Sequence, residues 1–176
     1  PYRDFVKNGI QFYRQQADLS DSSSFITTGN NQYVSDYVLP YFAGEDTIIV
    51  LKKSYRGLPA WYQVTKNGEA KIRVKDIARD DYYAYQNNKI IYTAYEPDAR
   101  WSQRDYSVIK VLDIPSKKVK QLTHRSKYFQ PAFSPDGKKI VTVQFTPDQK
   151  TALHVLDAAT GLVLQRVPQH DGVVYT

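Results

Sequence analysis

The stretch Gln130-Pro-Ala-Phe-Ser-Pro-Asp-Gly-Lys-Lys-Ile-Val141 carries most of the architectural information in the chain. At its centre Ser134-Pro135-Asp136-Gly137 reads as a turn. Proline pre-sets the second turn position, and glycine takes the left-handed one that closes a bulged hairpin. An aromatic residue, Phe133, stands just before the turn, and a β-branched strand follows it. The same plan occurs upstream in Leu39-Pro-Tyr-Phe-Ala-Gly-Glu-Asp-Thr-Ile-Ile-Val50, with a proline, an aromatic two places on, a polar turn and a strand. A third copy, Tyr83-Ala-Tyr-Gln-Asn-Asn-Lys-Ile-Ile-Tyr92, lies between them and lacks the proline. The aromatics expected to anchor the three copies, Phe42, Tyr85 and Phe133, recur at a spacing of about 45 residues, within the range of propeller blades.

Each copy continues alike. A second strand leads to a loop (Ser54–Pro59, Glu96–Asp105, Thr146–Lys150), then to a third strand (Trp61–Val64, Tyr106–Leu112, Ala152–Leu156). A tight turn and a fourth strand complete it (Ala70–Val74, Val119–Leu122, Leu162–Val167). Asn67-Gly68 predicts a type I′ hairpin, in which both positions need positive φ. Four short strands per repeat, each sheet needing neighbours to cover its faces, predict an all-β partial β-propeller of about three four-stranded antiparallel blades. The expected divisions are residues 31–79, 80–126 and 127–176. Ahead of them, residues 1–30 read as a short helix and a polar linker. Tyr2, Phe5, Val6, Ile10 and Tyr13 recur at helical spacing, and Asp18–Ser24 is polar.

The composition agrees. Fifteen of the eighteen acids are Asp, which suits turns, and fifteen tyrosines suit strands. Cysteine is absent, so disulfides, thiolate metal sites and cysteine nucleophiles are excluded. No run approaches the eighteen or so apolar residues of a membrane-spanning helix. The first residue is proline and no methionine occurs, so the sequence reads as a piece of something longer. The net charge of +6 is spread along the chain. Its densest stretch, Lys117 to Lys127, lacks the interleaved aromatics of a nucleic-acid platform and reads as a solvated strand face.

Gln121-Leu-Thr-His124, a spacer, and the Gln130–Val141 stretch together resemble the blade repeat of TolB-type β-propellers, in which a "QLT" strand leads to a proline–aromatic–"SPDG" turn. The third copy matches closely, the first has Ala43-Gly44-Glu45-Asp46 in place of the turn, and the second is looser. The resemblance implies a bacterial, exported setting, in the periplasm, at the outer membrane or secreted. It implies a structural role for Ser134, Pro135, Asp136 and Gly137. Similar repeats occur in propeller domains attached to peptidases. Three blades do not close a ring, so the remaining blades are expected from the same parent chain or from a second copy.

No constellation for chemistry emerges. His124, His154 and His170 are in no metal-ligand spacing, and neither a nucleophile elbow nor a phosphate loop is present. Asp80-Asp81 reads as a solvated pair or as a weak cation ligand. No catalytic residue, cofactor or metal is therefore assigned. The longest inter-strand loop, Glu96–Asp105, carries Arg100, Trp101 and Arg104, residue types enriched at binding hot spots. It reads either as a partner-binding loop or as one in which Trp101 packs beneath the loop and Arg104 pairs with Asp105 or Asp98. The expected function is a non-catalytic scaffold that binds a protein or peptide, within a larger exported bacterial protein. The alternative is a propeller that gates or positions substrate for a peptidase domain elsewhere in the parent chain.

Overall fold

The computed structural model describes residues 34–101, 104–146, 148–170 and 175. The helix and linker expected at residues 1–30 lie outside them. Among the described residues twelve strands form three sheets, each a four-stranded antiparallel meander whose strand order follows the chain. The first comprises β1 (Ser35–Gly44), β2 (Thr47–Ser54), β3 (Gly57–Thr65) and β4 (Gly68–Val74). The second comprises β5 (Tyr83–Gln86), β6 (Lys89–Pro97), β7 (Asp105–Asp113) and β8 (Val119–Gln121). The third comprises β9 (Tyr128–Phe133), β10 (Lys139–Phe145), β11 (Thr151–Asp157) and β12 (Val163–Pro168).

Period-2 alternation sends neighbouring residues to opposite faces. In the second sheet both faces are covered. Ile90, Tyr92, Val108 and Leu112 pack against Ile49, Leu51 and Trp61 of the first sheet, while Ile91 and Ile109 pack against Tyr128, Ile140 and Leu156 of the third. This is why β6 reads Ile-Ile-Tyr-Thr-Ala without a charged residue and is buried throughout that run. Trp61 is fully buried, with the rings of Tyr92 and Tyr83 4.6 and 6.1 Å away. The first strands also meet directly: Tyr41 donates its hydroxyl to the Tyr83 carbonyl at 2.9 Å, and the Tyr83 hydroxyl reaches the Leu39 carbonyl.

The proline of the repeat marks a bulge. Leu39 and Gln130, each preceding it, adopt φ of 52° and 51°. The ladder skips between Val38 and Tyr41 in one sheet, and opposite Val141 and Val143 in the other. Proline has no N–H to offer a ladder, so a bulge in the outermost strand of a sheet is where it fits. In the second sheet, which has no proline, β5 pairs with β6 without a skip.

Two turns lock neighbouring sheets. Gly137 (φ 70°) closes the Ser134–Gly137 turn, whose Pro135 carbonyl accepts from Gln86 Nε2 at 2.8 Å. Gly161 (φ 77°) lies so close to the second sheet that a Cβ would sit 2.4 Å from the Leu122 carbonyl oxygen.

Three local readings are corrected. The type I′ turn occurs at Asn87-Asn88 (φ 47° and 60°), between the paired residues Gln86 and Lys89, rather than at Asn67-Gly68. There only Gly68 has positive φ, because the Thr65 hydroxyl holds the turn by accepting from the Asn67 N–H at 3.3 Å. The loop expected over Ser54–Pro59 is a two-residue turn, since Ser54 pairs with Gly57 and β3 starts there. Phe42 is not an anchor, being 81% exposed, whereas Tyr85 and Phe133 pack on the preceding sheet. All three pair with an equivalent isoleucine (Ile48, Ile90, Ile140), and Phe42 faces the side of the first sheet that no described sheet covers.

Replacing Trp61 by alanine removes the largest side chain of the first inter-sheet core. Urea unfolding should show a loss of about 3–5 kcal/mol; a loss below about 1 kcal/mol would contradict its place there.

Candidate functional site

In an antiparallel meander alternate connections emerge at the same end. The β6–β7 loop (98–104) and the β8–β9 connection (122–127) therefore share one end of the second sheet. There they enclose an open cleft of about 450 Å³ lined by Glu96, Asp98, Arg100, Trp101, Arg104, Tyr106 and Arg125 among others. The structure thus brings Arg100, Trp101 and Arg104 together and adds Arg125, which sequence reasoning assigned to a solvated basic stretch.

The base of the cleft is held by short-range polar bonds. Gln121 Nε2 reaches Glu96 Oε1 at 3.1 Å, the Thr123 carbonyl at 3.0 Å and His124 Nδ1 at 3.0 Å. The Thr123 hydroxyl accepts from the Ile109 N–H at 2.9 Å, and Ser107 Oγ donates to the Tyr128 carbonyl at 2.7 Å. The connection after β8 is thereby stitched to β7, and Arg125 is presented on a left-handed residue (φ 46°). Its N–H donates to Glu96 Oε2 at 3.1 Å.

The described residues of the loop are arranged around Asp98. Its Oδ1 accepts from the Arg100 N–H at 2.8 Å and the Trp101 N–H at 3.2 Å, and its Oδ2 accepts from the Tyr106 hydroxyl at 3.1 Å. These donors, the Arg100 amide foremost, hold the Asp98 carboxyl below its ordinary range. Burial pushes Glu96 up, but the Arg125 amide and the Gln121 side chain outweigh it, so Glu96 also titrates low. Asp105 pairs with Arg79 rather than Arg104. Trp101 is 62% exposed, so it does not pack beneath its loop.

The other candidates resolve differently. Asp81 pairs with Lys53 at 2.6 Å, and Asp80 Oδ1 accepts from the Thr93 hydroxyl at 3.0 Å. The buried Lys75 ammonium donates to the Asp80 carbonyl at 2.8 Å and lies in the field of Asp80, Asp81 and Asp76. A cation is present among these acids, and it belongs to the protein. Among the described residues no group of three or more His, Asp or Glu has metal-holding geometry, and no helix is long and apolar enough to cross a membrane. His154 is buried on the face of the third sheet that meets the second, with Nδ1 3.0 Å from the Tyr128 hydroxyl.

No family model matches the chain, and no curated protein matches it. Solved structures do. TolB from Acinetobacter baumannii superposes with a TM-score of 0.57 at 22% identity, over 74% of this chain and 32% of that one. The fold is that of a β-propeller. A puromycin-hydrolyzing peptidase from Mycobacterium tuberculosis matches with a TM-score of 0.54 at 18% identity, over 79% of this chain and 22% of that one. The β-propeller domain of the Trilobed protease from Pyrococcus furiosus matches with a TM-score of 0.52 at 14% identity, over 78% of this chain and 44% of that one. The chain therefore spans less than half the length of each of these propeller-containing structures. Its three sheets are propeller blades, and the cleft lies at the end of the central blade.

Burial, with a smaller contribution from Arg166, holds His154 below its ordinary value of 6.5. The folded state thus binds fewer protons than the unfolded state as pH falls below about 6.5. Stability is full above that pH and declines beneath it. Thermal melts between about pH 7 and 5 should show a falling midpoint that flattens in His154→Gln; an equal decline in that variant would rule out His154 as the cause.

Proposed function

We propose that this chain is part of a non-catalytic propeller scaffold that binds a protein or peptide at the loop end of its central blade. Residues 31–176 are the propeller segment, divided near residues 80 and 127. The observation that carries the reading is the exposure of Trp101 on a loop whose base is fixed. A large aromatic held in water, its own N–H and that of Arg100 bound by Asp98, costs hydration and contributes nothing to the core. Such residues, with arginine, dominate the energetics of interfaces. Functional contacts also concentrate on loops carried by a rigid scaffold. The TolB-type repeat supports a larger exported bacterial parent located in the periplasm, at the outer membrane or outside the cell.

A second reading draws on the peptidase-associated structures above. In it the same loops gate or position substrate for a catalytic domain elsewhere in the parent chain. In both readings the segment binds a polypeptide and performs no bond chemistry itself.

Panning a random peptide library against the chain tests this. Peptides should be retained by the wild type and bound about tenfold or more weakly by Trp101→Ala. The melting temperature of that variant should hold, as expected for a surface substitution. Failure to enrich peptides that discriminate the two would contradict the reading. So would peptide, ester or glycoside hydrolysis abolished by a single substitution in this segment.

A further inference from the structure

The charges around the cleft divide into two groups. Both of its carboxylates are engaged by the protein: Glu96 by Gln121 and the Arg125 amide, Asp98 by two amides and the Tyr106 hydroxyl. The arginine side chains are held less closely: Arg104 lies in the field of Asp98 without an ion pair. Arg100, Arg104 and Arg125 are exposed, and none of their side chains forms an ion pair among the described residues. Some cations elsewhere are paired, as Lys52 is with Glu69, Lys53 with Asp81, Lys110 with Asp76 and Arg79 with Asp105. Asp105, adjacent to Arg104 in sequence, is paired with Arg79.

Building on the partner-binding reading, we propose that the cleft takes an acidic peptide segment, with its carboxylates on Arg100, Arg104 and Arg125 and a neighbouring apolar or aromatic side chain on the Trp101 ring. Guanidinium groups pair with carboxylates in a planar, two-point fashion, and such charge-assisted bonds are the strong ones. The volume of about 450 Å³ fits a few side chains rather than a folded domain. A nucleic acid is disfavoured. It would require a track of cations along successive phosphates and several stacking rings. Here a single exposed tryptophan and three arginines gathered at one cleft stand instead.

Calorimetric titration of the 176-residue chain with two peptides tests the proposal: a decapeptide of Asp, Glu and Tyr, and its counterpart with Asn and Gln in place of the acids. The acidic peptide should bind at least about tenfold more tightly, and more weakly as salt rises. Its advantage should disappear in Arg104→Gln/Arg125→Gln, whose melting temperature serves as the folding control. Equal binding of the two peptides, lost in Trp101→Ala, overturns the charge proposal and leaves the partner-binding reading standing. Binding of neither peptide overturns both. Displacement of the acidic peptide by equimolar inorganic phosphate also overturns the proposal, because the cleft would then be a phosphate site.

Discussion

A four-stranded antiparallel sheet has two faces and cannot bury both by itself. Everything in this chain follows from how each face finds a neighbour. The second sheet is the only one of the three described sheets with a partner on each side, and its β6 and β7 strands are apolar on both faces for that reason. The contact between the first and second sheets is built on Trp61, Tyr83 and Tyr92, three large rings whose edges and faces interlock. Outer faces tell the complementary story. Phe42 stands exposed on one end of the stack, and Val141 and Phe145 are partly exposed on the other. On the Phe42 side the sheet also carries a polar cluster. Lys52 pairs with Glu69 at 2.6 Å and lies over the rings of Tyr37 and Tyr62 at 5.1 and 5.3 Å. Burial alone would lower the Lys52 pKa, but its bonds to Glu69 and Tyr37 raise it overall.

The same layering determines where binding residues can stand. Strands are committed to packing, so variable side chains are left to the connections. The longest connection within a sheet, β6–β7, departs from the blade that is covered on both faces. Hydrogen bonds from Gln121, Thr123 and Ser107 fix the two sides of the cleft relative to each other. Exposed side chains on such a base bind with little loss of backbone freedom, which favours affinity for a flexible partner.

Much of the architecture was legible because the repeat places a proline, an aromatic and an Asp-Gly turn at fixed offsets from a strand. The proline's physical role was not legible. Nothing in the letters shows that Leu39 and Gln130 are left-handed, since this depends on the bulge and, at Leu39, on a hydrogen bond from the next sheet. Asn-Asn concealed a type I′ turn, while the stronger Asn-Gly signal was overridden by a threonine hydroxyl two residues earlier. Arg125 was hidden for a topological reason: it lies more than twenty residues from Trp101 and reaches the same cleft because alternate connections share an end. The position of Arg125 just after the "QLT" strand was the available signal.

Double coverage should concentrate stability in the second sheet. Native-state hydrogen exchange of the chain, resolved by residue, tests it most directly. The amides of β6 and β7 should exchange only through global unfolding, and those of β1 and β12 should open at much lower free energy. Protection of β12 equal to that of β6, or early opening of β6 and β7, would contradict it.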